Sequence, residues 1–186
     1  MNAPTHFSPL LRVIHWLMAV LLLAMLFIGV SMVADLSPRH SELVALHKPL
    51  GLVLLVLVLA RLAVRLTSPV PPLPRDMPGW QRRAAHLSHV LLYALMLAMP
   101  LVGWGMQSAG GYPVVLHESL VLPPIVPPDA RLHALLRLAH TVLAYLLFIS
   151  ILAHLAAALY HALIRRDGVL SSMTTGSGIR SMPDGQ

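Results

Sequence analysis

Arg137–Ala156 reads RLAHTVLAYLLFISILAHLA, with His140 and His154 fourteen residues apart inside an otherwise apolar run. At about 100° and 1.5 Å per helical residue, the two stand about 21 Å apart along the axis and differ by only about 40° in direction. One helix therefore offers an imidazole to each half of a bilayer along a single seam. Burying an ionisable side chain in lipid is costly and marks function, so these two residues pose the question that the rest of the chain has to answer.

Composition supports a bilayer setting. The 186 residues are 57% hydrophobic and only 11% charged, where a water-soluble domain carries about 25% charged residues. The absence of cysteine excludes disulfides, thiolate metal sites and covalent haem attachment through Cys-x-x-Cys-His. The formal charge of +6 comes from arginines gathered at the ends of apolar runs, so it reads as a topology signal and not as a nucleic-acid footprint.

Four segments are long enough to span a hydrocarbon core, which takes about 20 helical residues: near 10–33, 42–66, 83–107 and 132–164. The first follows Arg12 as a secretory signal would, but its apolar run is too long and lacks a small-x-small cleavage site before Asp35, so it is expected to be a permanent span. With both termini on one side, that side receives Arg12, Arg61, Arg65, Arg75, Arg82, Arg83, Arg165, Arg166 and Arg180, and the other receives Arg39, Lys48, Arg131 and Arg137. Nine against four puts both termini in the cytoplasm. The fold expected is all-α, an integral membrane four-helix bundle. Residues 1–170 form its one domain and 171–186 a flexible Ser-, Thr- and Gly-rich tail. The proline-rich Thr67–Pro74 is a stiff cytoplasmic link, and residues 108–130 form the long outer loop.

Of eleven histidines, His6, His40, His117 and His133 fall in the tail, loops or a helix mouth and are expected to face solvent. His15, His47, His86, His89, His140, His154 and His161 lie within the spans. His15 is near the cytoplasmic start of the first helix, level with His154; His47 is just inside the outer start of the second, level with His140. An isolated intramembrane histidine needs only a backbone carbonyl, but four matched in depth across three helices call for a common explanation. Two bis-histidine haems, held between facing helices, use all four imidazoles. Zinc fits poorly, because the ligands divide between two leaflets and no carboxylate or thiolate completes a tetrahedral set.

The chain resembles the bacterial cytochrome b561 family over almost the whole of residues 8–172. The resemblance rests on Arg12-Val13-Ile14-His15-Trp16; His47 with Gly51; Arg61 and Arg65 before Pro69-Val70-Pro71-Pro72; Ala85-His86-Leu87-Ser88-His89 leading to Tyr93 and Leu97-Ala98-Met99-Pro100-Leu101-Val102-Gly103; and His140 to His154 with Ala156-Ala157-Ala158. The resemblance implies that His15 and His154 hold an inner haem b and that His47 and His140 hold an outer one. It also implies a superoxide:quinone oxidoreductase, in which periplasmic superoxide gives electrons and ubiquinone receives them. A different function remains open, that of a haem-bearing membrane anchor passing electrons between a soluble dehydrogenase or hydrogenase and quinone. A homodimer is compatible with the sequence.

Secondary positions follow from spacing. His161 is a rival ligand, but pairing it with His140 would separate two irons by about 31 Å along the helix, a whole hydrocarbon thickness; it reads instead as a polar residue at the inner interface. His86 and His89, one turn apart on the third span, have three open roles: bonding a haem propionate, lining a quinone pocket, or facing headgroups. Lys48 adjoins His47 and Arg137 precedes His140 by one turn, so both are expected near the outer haem, where positive charge steers a small anion. Arg39 and Arg131 either extend that positive mouth or snorkel to the interface. Pro49 frees the carbonyl of Ala45, and Gly51 is expected to make room for the porphyrin. Trp16, Trp80 and Trp104 fit interfacial anchors.

Overall fold

The computed structural model describes residues 4–34, 37–74, 76–117 and 120–175. Four long helices dominate: α1 Pro9–Ala34, α2 Arg39–Thr67, α3 Gly79–Ala109 and α4 Ala130–Tyr160, the last continued by a π-helical turn, His161–Arg165. All four are long and apolar enough to cross a membrane, and the fold is an all-α membrane four-helix bundle. An even number of spans returns the chain to the side on which it began. Arg75 and Arg180, two of the nine arginines assigned to the cytoplasm, lie outside the described residues.

Local chemistry explains where the helices start and stop. Ser8 accepts from the Leu11 amide at 3.4 Å and Pro9 takes the first helical position, where its missing N–H costs nothing. Asp129 caps α4 by accepting from the Leu132 amide at 2.8 Å. Helix α2 ends where the proline run begins, and α3 ends on Gly110-Gly111, with Gly111 at φ 71°, a left-handed conformation that favours glycine. Pro49 and Pro100 lie inside α2 and α3, each removing one helical hydrogen bond.

Hydrophobicity is arranged for lipid. On α1, Val13, Val20 and Phe27 are 64%, 63% and 73% exposed, a heptad row that only an apolar surround can cover. The opposite row, Leu11, Ile14 and Met18, is buried.

The chain divides into two compact units. One takes Met1–Trp16, Ala60–Leu92 and Ile149–Gln186; the other takes Leu17–Leu59 and Tyr93–Phe148. The first contains His15 and His154, the second His47 and His140. In the second unit, the stretch expected as an outer loop carries a two-stranded antiparallel hairpin, β1 Val114–His117 and β2 Leu120–Leu122, with Val114 opposite Leu122. In the first unit, residues 171–175 of the expected tail form turns. Ser172 is buried, its carbonyl accepts from the Phe7 amide at 3.3 Å, and the Met173 carbonyl accepts from the Trp16 indole at 3.0 Å. Residues 176–186 lie outside the described residues.

Candidate functional site: two pairs of intramembrane histidines

Helical periodicity aims the histidines inward. His15 continues the buried row Leu11, Ile14, Met18 on α1. On α2, His47 is followed on one stripe by Gly51, the buried Leu54 and Val58, and then Arg61. On α4 the one buried residue, Leu147, is seven residues from both His140 and His154, so a seven-residue row carries both imidazoles on the covered side.

In the first unit the ring centroids of His15 and His154 are 6.3 Å apart, with planes inclined at 75°. In the second unit His47 and His140 are 6.1 Å apart, inclined at 66°. An iron taking one ring nitrogen from each side at about 2 Å separates two imidazole centroids by roughly 6 Å. Both pairs are therefore spaced for a metal between them and too far apart to hydrogen-bond each other. Among the described residues, no group of three or more His, Asp or Glu side chains is placed to hold a bare metal ion.

The second unit fits a large planar group in three further respects. His47 Nδ1 is buried without a hydrogen-bond partner among the described residues. The two rings open on a cleft walled by Lys48, Gly51, Leu52, Leu55, Pro100, Gly103, Trp104, Met106 and Gln107 and by the facing hairpin residues Val114 and Leu122. Gly103 sits directly against His140: a Cβ there would lie 3.3 Å from its Cε1 and 3.5 Å from its Nδ1. Gly51 lines the cleft, but a Cβ on it would meet only the end of Met25, at 3.7 Å. Gly103 is thus the tighter steric requirement, a role that spacing alone did not reveal.

Of the two outer cations singled out from sequence, Lys48 is half-buried in the cleft wall, whereas Arg137 is exposed on α4 and is not part of that wall. Trp104 is tied down by its indole N–H, which donates to the Pro123 carbonyl at 3.0 Å. His40 and His133, expected to face solvent, are half-buried and each bonds a carbonyl through Nδ1, that of Met32 at 3.0 Å and that of Met106 at 2.9 Å. His6 is exposed, and the side chain of His117 lies outside the described ones.

The first unit holds a third imidazole. His89 on α3 stands 5.7 Å from His154, centroid to centroid. By surface area His89 is exposed, whereas His15 and His154 are half-buried. His86 is exposed as well. His161 is engaged elsewhere: its Nδ1 is 2.6 Å from Asp167 Oδ2. Arg165 bonds the same oxygen at 3.2 Å, Asp76 at 2.5 Å and Gln81 at 3.4 Å. Arg166, at φ 53°, closes the π-turn by donating its amide to the His161 carbonyl at 2.8 Å. This network pins the end of α4 to the turn before α3, and nothing in the sequence marked Asp76 or Asp167 as its members.

Four apolar spans with imidazoles paired at metal-ligating distance define a membrane cytochrome. The family model for prokaryotic cytochrome b561 matches residues 6–176, and the chain belongs to that family, an electron-transfer family that carries b-type haem. It is 29% identical over 168 residues to cytochrome b561 homolog 1 of Escherichia coli (strain K12), covering 86% of this chain and 92% of the relative. It is 27% identical over 175 residues to homolog 2 of the same organism, covering 92% and 93%. The probable superoxide oxidase CybB of Yersinia pestis is 29% identical over 162 residues, covering 86% of this chain and 90% of that one.

Proposed function

We propose that this protein is a dihaem superoxide:ubiquinone oxidoreductase of a bacterial inner membrane, with both termini in the cytoplasm. The observation that carries the dihaem reading is the pair of matched imidazole spacings, 6.3 and 6.1 Å, one in each compact unit. His15 and His154 hold the inner haem b, and His47 and His140 the outer one. When bound, the haems supply one-electron carriers; the protein supplies their ligands, their spacing and their exclusion from water.

The donor is read from charge. Lys48 stands in the wall of the cleft that contains His47 and His140, placing a cation where a small anion would approach. Arg137, exposed one turn before His140, adds to the field from further out. A relative bearing the name probable superoxide oxidase, similar over nine-tenths of its length, supports the same donor. The overall conversion balances as two superoxide anions leaving as dioxygen, while one ubiquinone takes two electrons and two protons to become the quinol.

The test uses the purified full chain. Two haems per chain are expected, with superoxide reducing them and added ubiquinone reoxidising them. Lys48→Gln should slow the superoxide step more than Arg137→Gln does, and the double variant should flatten its dependence on ionic strength. A double variant as fast as wild type at low salt refutes the steering role. Haem reduction only through a co-purifying flavin or iron-sulfur subunit refutes the proposed donor.

A further inference from the structure

The first unit contains guanidinium charge that its own carboxylates do not neutralise. Its two described carboxylates, Asp76 and Asp167, both engage Arg165. Arg61 lies on the inward stripe of α2, one turn beyond the fully buried Val58. Among the described residues its one hydrogen bond runs from Nη1 to the Leu11 carbonyl at 2.9 Å, which uses one of the five donors a guanidinium offers. That carbonyl belongs to the turn of α1 just before His15, so Arg61 reaches across to the inner histidine pair and lies within electrostatic range of His15, His89 and His154. Arg12, one turn before His15, has its Nε buried with no partner among the described residues. A half-buried cation within a membrane span is favoured where an anion completes it.

We propose that Arg61, with Arg12 beside it, binds the two propionate carboxylates of the group held by His15 and His154. The pair thereby fixes which way round that group sits and raises its reduction potential. This rests on the dihaem reading above. Two guanidiniums match two carboxylates in number, and arginine meets a carboxylate with two parallel hydrogen bonds. Arg61 is then a positioning residue: it acts on the rim of the porphyrin while the histidines hold its centre. A fixed positive charge near the iron favours the reduced state, which carries one positive charge fewer. At roughly 10 Å and an effective dielectric of about 20, one such charge moves a one-electron equilibrium on the order of tenfold, or about 59 mV.

The experiment is a redox titration of the purified full chain, the inner haem being identified as the component that His15→Ala removes. It is paired with redox-induced infrared difference spectra of protein grown on carboxyl-¹³C aminolaevulinate, which labels the haem propionates. Arg61→Gln and Arg12→Gln should each lower the inner midpoint by about 59 mV and shift the labelled carboxylate bands, leaving the outer component in place. Arg61→Lys should keep the midpoint near wild type while shifting the bands, since it retains charge but loses the fork. Where Arg61→Gln fails to assemble, Arg61→Lys and Arg12→Gln carry the same test. Two haems present with midpoint and labelled bands unmoved overturns the proposal while the dihaem reading stands. Band shifts confined to unlabelled phosphate modes also overturn it, by assigning the arginines to a lipid headgroup. A wild-type chain without a haem dependent on His15 overturns the dihaem reading itself.

Discussion

Replacing Gly103 by alanine should loosen the outer haem without weakening the protein. The new Cβ would lie 3.3 Å from His140 Cε1 and 3.5 Å from Nδ1, inside the 3.5–4.0 Å at which two such atoms attract best. A few tenths of an ångström must be found. A free imidazole finds them by turning, but a ring that held a metal at its other end would lose that freedom. The clash therefore falls on the haem-bound state, and overpacking of this kind costs about 1–3 kcal/mol, or roughly five- to 150-fold in affinity. Helix propensity runs the other way, since alanine is better than glycine in a helix interior by about 0.5–1 kcal/mol. Gly51→Ala is the internal control: its Cβ meets only Met25 Cε at 3.7 Å, an ordinary contact with a flexible end. Haem transfer to excess apomyoglobin, followed on the component that His47→Ala abolishes, should be faster in Gly103→Ala and unchanged in Gly51→Ala, with neither melting at a lower temperature. Wild-type transfer and midpoint in Gly103→Ala would mean that His140 is free to turn, which refutes its role as an axial ligand.

Single replacements of the four paired histidines should remove haem in twos: His15→Ala and His154→Ala the same component, His47→Ala and His140→Ala the other, read as haem per chain and as components of the redox titration. His89→Ala should retain both haems; losing the His154-dependent one would make His89 and not His15 the partner. Asp167→Asn leaves Arg165 and His161 without their shared, nearly buried carboxylate. Breaking such a pair costs about 3 kcal/mol, seen as a fall of roughly 6–12 °C in the tryptophan-fluorescence melt in detergent. A melt within about 2 °C of wild type contradicts a structural role for that network.

The four spans were legible because lipid imposes a coarse rule on sequence. A helix that must satisfy its own backbone needs about 20 apolar residues, and such runs stand out beside Thr67–Pro74 or Gly110-Gly111. The observed spans begin one to four residues before the expected starts, because Ser8, Ser37 and Asp129 cap the helices in polar sequence that hydropathy does not register. The outer loop concealed its hairpin for a different reason. Val114–His117 and Leu120–Leu122 are too short to show a strand period, and they are held by pairing with one another and by lining the cleft, neither of which is a property of the segment alone.

The histidines divide along the same line. Depth and direction along one helix follow from residue number, so the matching of His15 with His154 and of His47 with His140 could be expected from arithmetic. Distance between helices does not follow from residue number, and each feature the sequence left open depends on it. Gly103 matters because α3 passes against the ring of His140, whereas Gly51, chosen from sequence for the same task, has only Met25 opposite it. His89 stands as close to His154 as His15 does, 5.7 against 6.3 Å, so depth along the helices does not separate them. Lys48 is one residue from His47 and Arg137 three from His140, and of the two Lys48 reaches the cleft wall. A charge one residue from a ligand is turned by about 100°, whereas one three residues away falls on nearly the same side. Angular position along the helix therefore favoured Arg137, and the lateral reach of α2 gives the place in the wall to Lys48.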